Sequence, residues 1–105
     1  MLLIKLKEEE MIIAEAQAAH IIPVLMIPKP HPGILYITNK RVSFVPTQGS
    51  LHSEFEYPLE EIESFSVGML NTITLNTKNR KSYKLTGMFN KKLIEGFTKI
   101  GIQKI

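Results

Sequence analysis

Three histidines, His20, His31 and His52, are the side chains in this sequence suited to proton transfer or metal ligation near neutral pH. No two stand four residues apart, as paired ligands on one helix face would, and none adjoins a glycine-rich elbow. The chain has no cysteine, which excludes a disulfide framework, a thiolate metal site and cysteine nucleophilic catalysis. The histidines are therefore expected in structural or surface positions. Carboxylates gather at Glu8-Glu9-Glu10 and at Glu60, Glu61 and Glu63. Either group could hold a cation, but charged loop and strand edges are the commoner meaning. Gly33, Gly49, Gly68 and Gly87 are isolated, with no run able to cradle a phosphate. No catalytic residue, metal, cofactor or small-molecule substrate is expected. The reading is a binding or scaffolding module, not an enzyme.

Two segments could do binding chemistry. The first is basic: Lys78, Arg80, Lys81 and Lys84, joined by Lys40 and Arg41 from an earlier turn, could contact anionic lipid headgroups. Residues 78–105 carry a net charge of +7, whereas 1–35 carry −1 and 36–77 carry −3. The alternative is edge protection, since lysine on an exposed strand discourages edge-to-edge pairing. No aromatic side chains interleave with these charges, so nucleic acid is not expected. The second segment is apolar and proline-bounded, Ile21-Ile22-Pro23-Val24-Leu25-Met26-Ile27-Pro28. Left in water it would be costly, at about 25 cal/mol per Å². Its destination is the domain's own core, a neighbouring subunit or a bilayer surface. Ile22, Val24, Leu25, Met26 and Ile27 form the candidate interaction loop, and homo-oligomerisation is the expected use.

The elements that must position these segments follow from periodicity. Leu93, Ile94, Phe97 and Ile100 fall on one stripe of a helix, with Asn90 expected as its N-cap and Gly101 as its C′ residue. Upstream the period becomes two. Gly33–Thr38 and Arg41–Val45 flank a tight Asn39-Lys40 turn, and Asn71–Thr77 and Ser82–Thr86 flank the Lys78–Lys81 turn. Phe55–Pro58 and Ile62–Val67 are short strands, the first ending at Pro58 or lying at an edge. Met11–Ala19 is read as a first strand despite its helical propensity, and Leu2–Leu6 as an extra strand or an ordered arm. At 105 residues the chain has room for one domain. Six or seven strands and one helix predict a mainly β (α+β) fold, a strongly bent antiparallel sheet or partly open barrel plugged by residues 90–101. Met1–Ile4 is too short for a signal h-region, and no apolar stretch approaches the ~20 residues of a membrane span. A cytoplasmic protein, able to sit at the inner face of a membrane, is expected.

The stretch Gly33-Ile34-Leu35-Tyr36-Ile37-Thr38-Asn39-Lys40-Arg41-Val42-Ser43-Phe44 resembles the central motif of the GRAM and bacterial pleckstrin-homology-like domains. Pro58-Leu59-Glu60-Glu61-Ile62, the Lys78–Leu85 hairpin and Glu10-Met11-Ile12-Ile13 add to the likeness, which spans roughly residues 8–101. The resemblance implies a seven-stranded bent sheet capped by a helix, and a module that binds proteins or anionic lipid. Between the first strand and Gly33 the chain departs from the pattern, with only Lys29 and His31 as basic residues where related domains are often polar or charged.

Overall fold

The computed structural model describes residues 2–48 and 53–105, so Gly49 and His52 lie outside the described residues. The chain runs β1 (Ile12–Val24), β2 (Ile27–Thr38), β3 (Arg41–Pro46), β4 (Phe55–Pro58), β5 (Ile62–Val67), β6 (Ile73–Thr77), β7 (Ser82–Thr86), α1 (Asn90–Lys99) and β8 (Gln103–Lys104). These strands form one sheet in the order β4-β3-β2-β1-β7-β6-β5-β8. Every pairing is antiparallel except that of β5 with β8. Although β4 and β7 are not neighbours in the sheet, Tyr57 and Tyr83 meet with ring centroids 5.5 Å apart. The sheet is therefore bent back on itself without closing. This is the architecture the sequence predicts, a pleckstrin-homology-like bent sheet with one helix, extended by the short strand β8.

Alternation places Leu35, Ile37, Val42, Phe44, Phe65, Ile73, Leu75 and Leu85 inside the bend, all fully buried. The helix supplies Leu93 and Phe97 to the same core, with Ile94 and Ile100 at its margin. Its C-terminus is a Schellman motif. Gly101 takes a left-handed φ of 85° and donates to the Thr98 carbonyl, while Ile102 donates to the Phe97 carbonyl. The expected N-cap is corrected: Phe89 precedes the helix, and the Asn90 side chain is buried, donating to the carbonyls of Asn71 and Leu85. Asn90 ties the helix to the β5–β6 and β7 segments instead of capping it. Gly33 is required by close approach, since a Cβ there would stand 2.5 Å from the Val45 carbonyl oxygen and 2.6 Å from the Phe44 ring.

The largest correction concerns residues 20–32. The sequence suggests a proline-bounded apolar loop, but β1 and β2 continue to a two-residue turn at Leu25-Met26. The register explains why the prolines do no harm. Pro23 faces Pro28, Ile21 faces Pro30 and Ala19 faces Pro32, so all four prolines fall on alternate cross-strand pairs. The Pro32 carbonyl accepts from the Thr47 amide, outside the β1–β2 ladder. Residues 32, 30 and 28 thus turn their backbone polar groups outward, and no ladder bond needs a proline N–H.

Residues 2–10 form no strand. They lie as an ordered arm, with the Leu3 amide donating to the Tyr36 hydroxyl at 2.9 Å and the Lys5 carbonyl accepting from Arg41 at 2.7 Å.

Candidate functional site

The sheet's first hairpin stands clear of the rest. Pairing of β1 with β7 ends at Ile21–Lys84, and pairing of β2 with β3 begins only at Gly33–Pro46. Beyond Ile21 the ribbon continues three residues to Val24, about 10 Å at ~3.3 Å per residue. Its tip carries Val24, Leu25, Met26 and Ile27, all exposed, with Leu25 at 92% and Met26 at 95% of full accessibility. Ile21 and Ile22 are only half-buried. The domain's own core is therefore not where this segment goes. That destination fails because the ribbon projects past the bend that encloses the core.

The tip is also costly in backbone terms. Leu25 and Met26 have φ of 51° and 68°, both left-handed, as the central residues of a type I′ turn must be. Asn-Gly is the usual occupant, because a Cβ in that region costs roughly 1–2 kcal/mol per residue. Two large apolar side chains thus sit where both backbone strain and hydration oppose them.

The stalk's edges are stripped of donors. On the outer edge of β2, positions 28, 30 and 32 are proline, and on β1 the outward position past Ile21 is Pro23. An incoming strand would find carbonyls but no N–H groups. The stalk is therefore poorly suited to strand addition, and its tip is left as the exposed apolar surface.

The structure keeps Lys78, Arg80 and Lys81 on the β6–β7 turn, with Lys40 across the Leu59–Glu61 turn, but takes Arg41 and Lys84 out of the expected group. Arg41 is corrected outright: its guanidinium is buried, with Nε donating to Glu10 Oε2 at 2.8 Å and Nη2 to Glu10 Oε1 at 3.0 Å. Nη1 donates to Glu56 at 2.9 Å. Glu10 also accepts from the Thr38 hydroxyl and the Lys7 amide. The Arg41 hydrogen bonds lead the causes that hold the Glu10 carboxyl down at about 2, against its burial. The fork fits this carboxylate bidentately, so Arg41 has no face left for a headgroup. Lys40 and Lys78 are exposed, but they flank an acidic turn at Leu59–Glu61. The Leu59 amide donates to the Lys40 carbonyl, and the Lys78 amide donates to the Glu61 carbonyl. Lys78 and Asn79 precede Arg80, which has a left-handed φ of 67°, and Lys81 completes the β6–β7 turn. Lys84 stands apart on β7, opposite Ile21 at the foot of the stalk.

His20 plays a packing role. His20 is buried on β1, its Nδ1 2.9 Å from the Ser53 carbonyl and its ring within 5.2–5.6 Å of Phe55, Tyr83 and Phe44. Burial pushes its pKa below 6.5, the Ser53 carbonyl opposes this, and neighbouring His31 pushes it further down. These rings, with Tyr57, close the gap between β4 and β7. Burial, then the hydrogen bond to Tyr57, raises the Tyr83 hydroxyl pKa.

A second apolar feature escapes sequence reasoning. Met69, Leu70, Met88 and Phe89 are exposed, on the β5–β6 connection and the segment entering α1. Leu70 and Asn71 both take left-handed φ, 56° and 60°. The signal available was a pair of apolar dipeptides in segments without alternation, which resembles ordinary core at that scale.

No family model matches the sequence, and no curated protein matches it. Among solved structures, the chain is similar to the C-terminal domain of an unknown protein from Leishmania infantum, with a TM-score of 0.66 at 17% identity, covering 89% of this chain and 86% of that one. The likeness is one of fold. No described helix is long and apolar enough to cross a membrane.

Proposed function

We propose that this domain is a non-enzymatic, pleckstrin-homology-like interaction module, related to the GRAM and bacterial members of that group, that self-associates by seating its β1–β2 tip in an apolar surface. The observation that carries the reading is the tip itself: four large apolar residues held outside the core on a proline-edged stalk, with two in left-handed geometry. Full burial of Leu25 and Met26 would contribute roughly 1.5–3 kcal/mol each. Losing either contact should weaken association about tenfold or more.

Light scattering over a concentration series from roughly 1 μM to 1 mM tests this, spanning the affinities such a tip can give. The chain should shift from monomer to oligomer, and Leu25→Asp should hold it monomeric. A strict monomer throughout, unchanged by Leu25→Asp, sinks the reading.

A second reading is insertion of the same tip into an anionic bilayer. Lys29 on the stalk and Lys84 at its foot favour it. Salt-sensitive sedimentation with anionic vesicles, lost in Leu25→Asp, would move the function there. Equal recovery in the supernatant with neutral and anionic vesicles would dismiss it.

A further inference from the structure

Met88 stands 88% exposed between two shallow depressions of about 290 and 490 Å³. One is floored by Ala18, Ala19 and Gly87 and walled by Phe89; the other is walled by Leu70, itself 90% exposed. Together they make an apolar saddle across the start of α1 and the β5–β6 connection. It is separate from the hairpin tip. Ala19 lies on its floor, and Val24 is five residues further along β1, roughly 16 Å away. The stiff ribbon between them keeps the chain's own tip from folding back.

The charge bordering the saddle is predominantly basic. Segments 66–74 and 84–94 contain three lysines, Lys84, Lys91 and Lys92, and no carboxylate. Lys84 lines the hollow beside Met69, and Lys92 lines the one beyond Phe89. Carboxylates enter beyond Phe89: Glu15 shares one hollow with Lys92, and Glu95, one turn further along α1, shares the next with both. None of the three lysines makes an ion pair among the described residues. Two methionines, a leucine and a phenylalanine give an adaptable surface of the kind that receives the apolar face of a helix.

The geometry points to a docking site for an amphipathic protein segment with an apolar face and flanking carboxylates. The apolar face would lie over Met88 between Leu70 and Phe89, and its acidic flank would meet Lys84, Lys91 and Lys92. The site shares no residue with the tip, so it stands whether or not the domain self-associates through Leu25.

Fluorescence anisotropy with two synthetic helical peptides of about 16 residues tests it, each long enough for four turns. Both carry leucine and phenylalanine on one face, with either glutamate or lysine on the other. The glutamate peptide should bind at least roughly tenfold tighter than the lysine peptide, and weaken several-fold in about 0.5 M NaCl. Met88→Ser and Leu70→Ser, both at exposed positions, should lower affinity about tenfold, and Lys91→Glu with Lys92→Glu should do the same. Leu25→Asp should leave binding unchanged, which separates this site from the tip. Equal binding of both peptides, or indifference to Met88→Ser and Leu70→Ser, overturns the proposal. So does capture of phosphatidylserine-containing vesicles or of a second copy that is lost in Met88→Ser while the glutamate peptide fails to bind.

Discussion

Replacing Leu25-Met26 by Asn-Gly should make this protein more stable while removing the apolar tip through which we propose it associates. Both residues occupy left-handed backbone, with φ of 51° and 68°. At roughly 1–2 kcal/mol each the pair stores about 2–4 kcal/mol, most of which asparagine and glycine relieve. Glycine returns roughly 0.5–1 kcal/mol to the unfolded chain as entropy. The side chains are almost wholly exposed, so their removal loses little packing. The net expectation is a gain of about 1–3 kcal/mol, which for a domain of this size raises Tm by roughly 5–14 °C. Urea unfolding with calorimetry reads both quantities, and light scattering on the same variant should show a monomer. A variant of equal or lower stability would refute the argument, because the turn could not then be holding two strained residues. A double substitution that gains stability and loses association would identify the strain as retained for binding.

Three further expectations concern the frame. The Glu10 carboxyl, held at about 2 against an ordinary 4.5, contributes stability above pH 4.5 that is lost as pH falls toward 2, roughly 3 kcal/mol in all. Acid titration of unfolding should show this limb, Glu10→Gln should flatten it, and Arg41→Met with Glu10→Gln should cost less than Arg41→Met alone, which strands a buried charge. His20 is held below its ordinary 6.5 mainly by burial, so the unfolded chain takes the proton first. Stability should be fully present above pH 6.5 and decline below it, and His20→Phe should remove that step from the unfolding profile; a step left intact would contradict the assignment. Gly33→Ala forces a Cβ to within 2.5 Å of the Val45 carbonyl and should cost about 2 kcal/mol or more, with β2–β3 amides losing hydrogen-exchange protection first.

The parts of this fold legible in the sequence are those whose signal is local. The Gly33–Val45 hairpin alternates cleanly, and the α1 stripe with Gly101 repeats at helical spacing, so short-range pattern determines both. The extension of β1 and β2 to Leu25 was hidden because proline reads as a strand breaker unless its side of the ladder is known. Which side each proline faces depends on a register fixed elsewhere, at Ile37 against Val42 and at Gly33 against Pro46. Arg41 reads as a surface base because its partner Glu10 is 31 residues away. The saddle at Met88 needs the β5–β6 connection and the α1 entry brought together, which Asn90 does through the Asn71 and Leu85 carbonyls. Strand β8 is two residues long and too short for any periodicity to mark.

The donor-free edges of the stalk also separate two kinds of selection. Register and core are settled below Ile21 and Gly33, where Glu10, Arg41 and the buried rings act, and none of those contacts reaches the tip. Residues 24–27 can then change without the fold changing with them, so long as the turn tolerates left-handed geometry. Because the prolines oppose strand addition whatever the tip contains, a new four-residue sequence there changes the exposed surface without opening the stalk to edge pairing. On the proposed function, the hairpin serves as a display loop whose four tip residues can be exchanged at small cost to the protein that carries it.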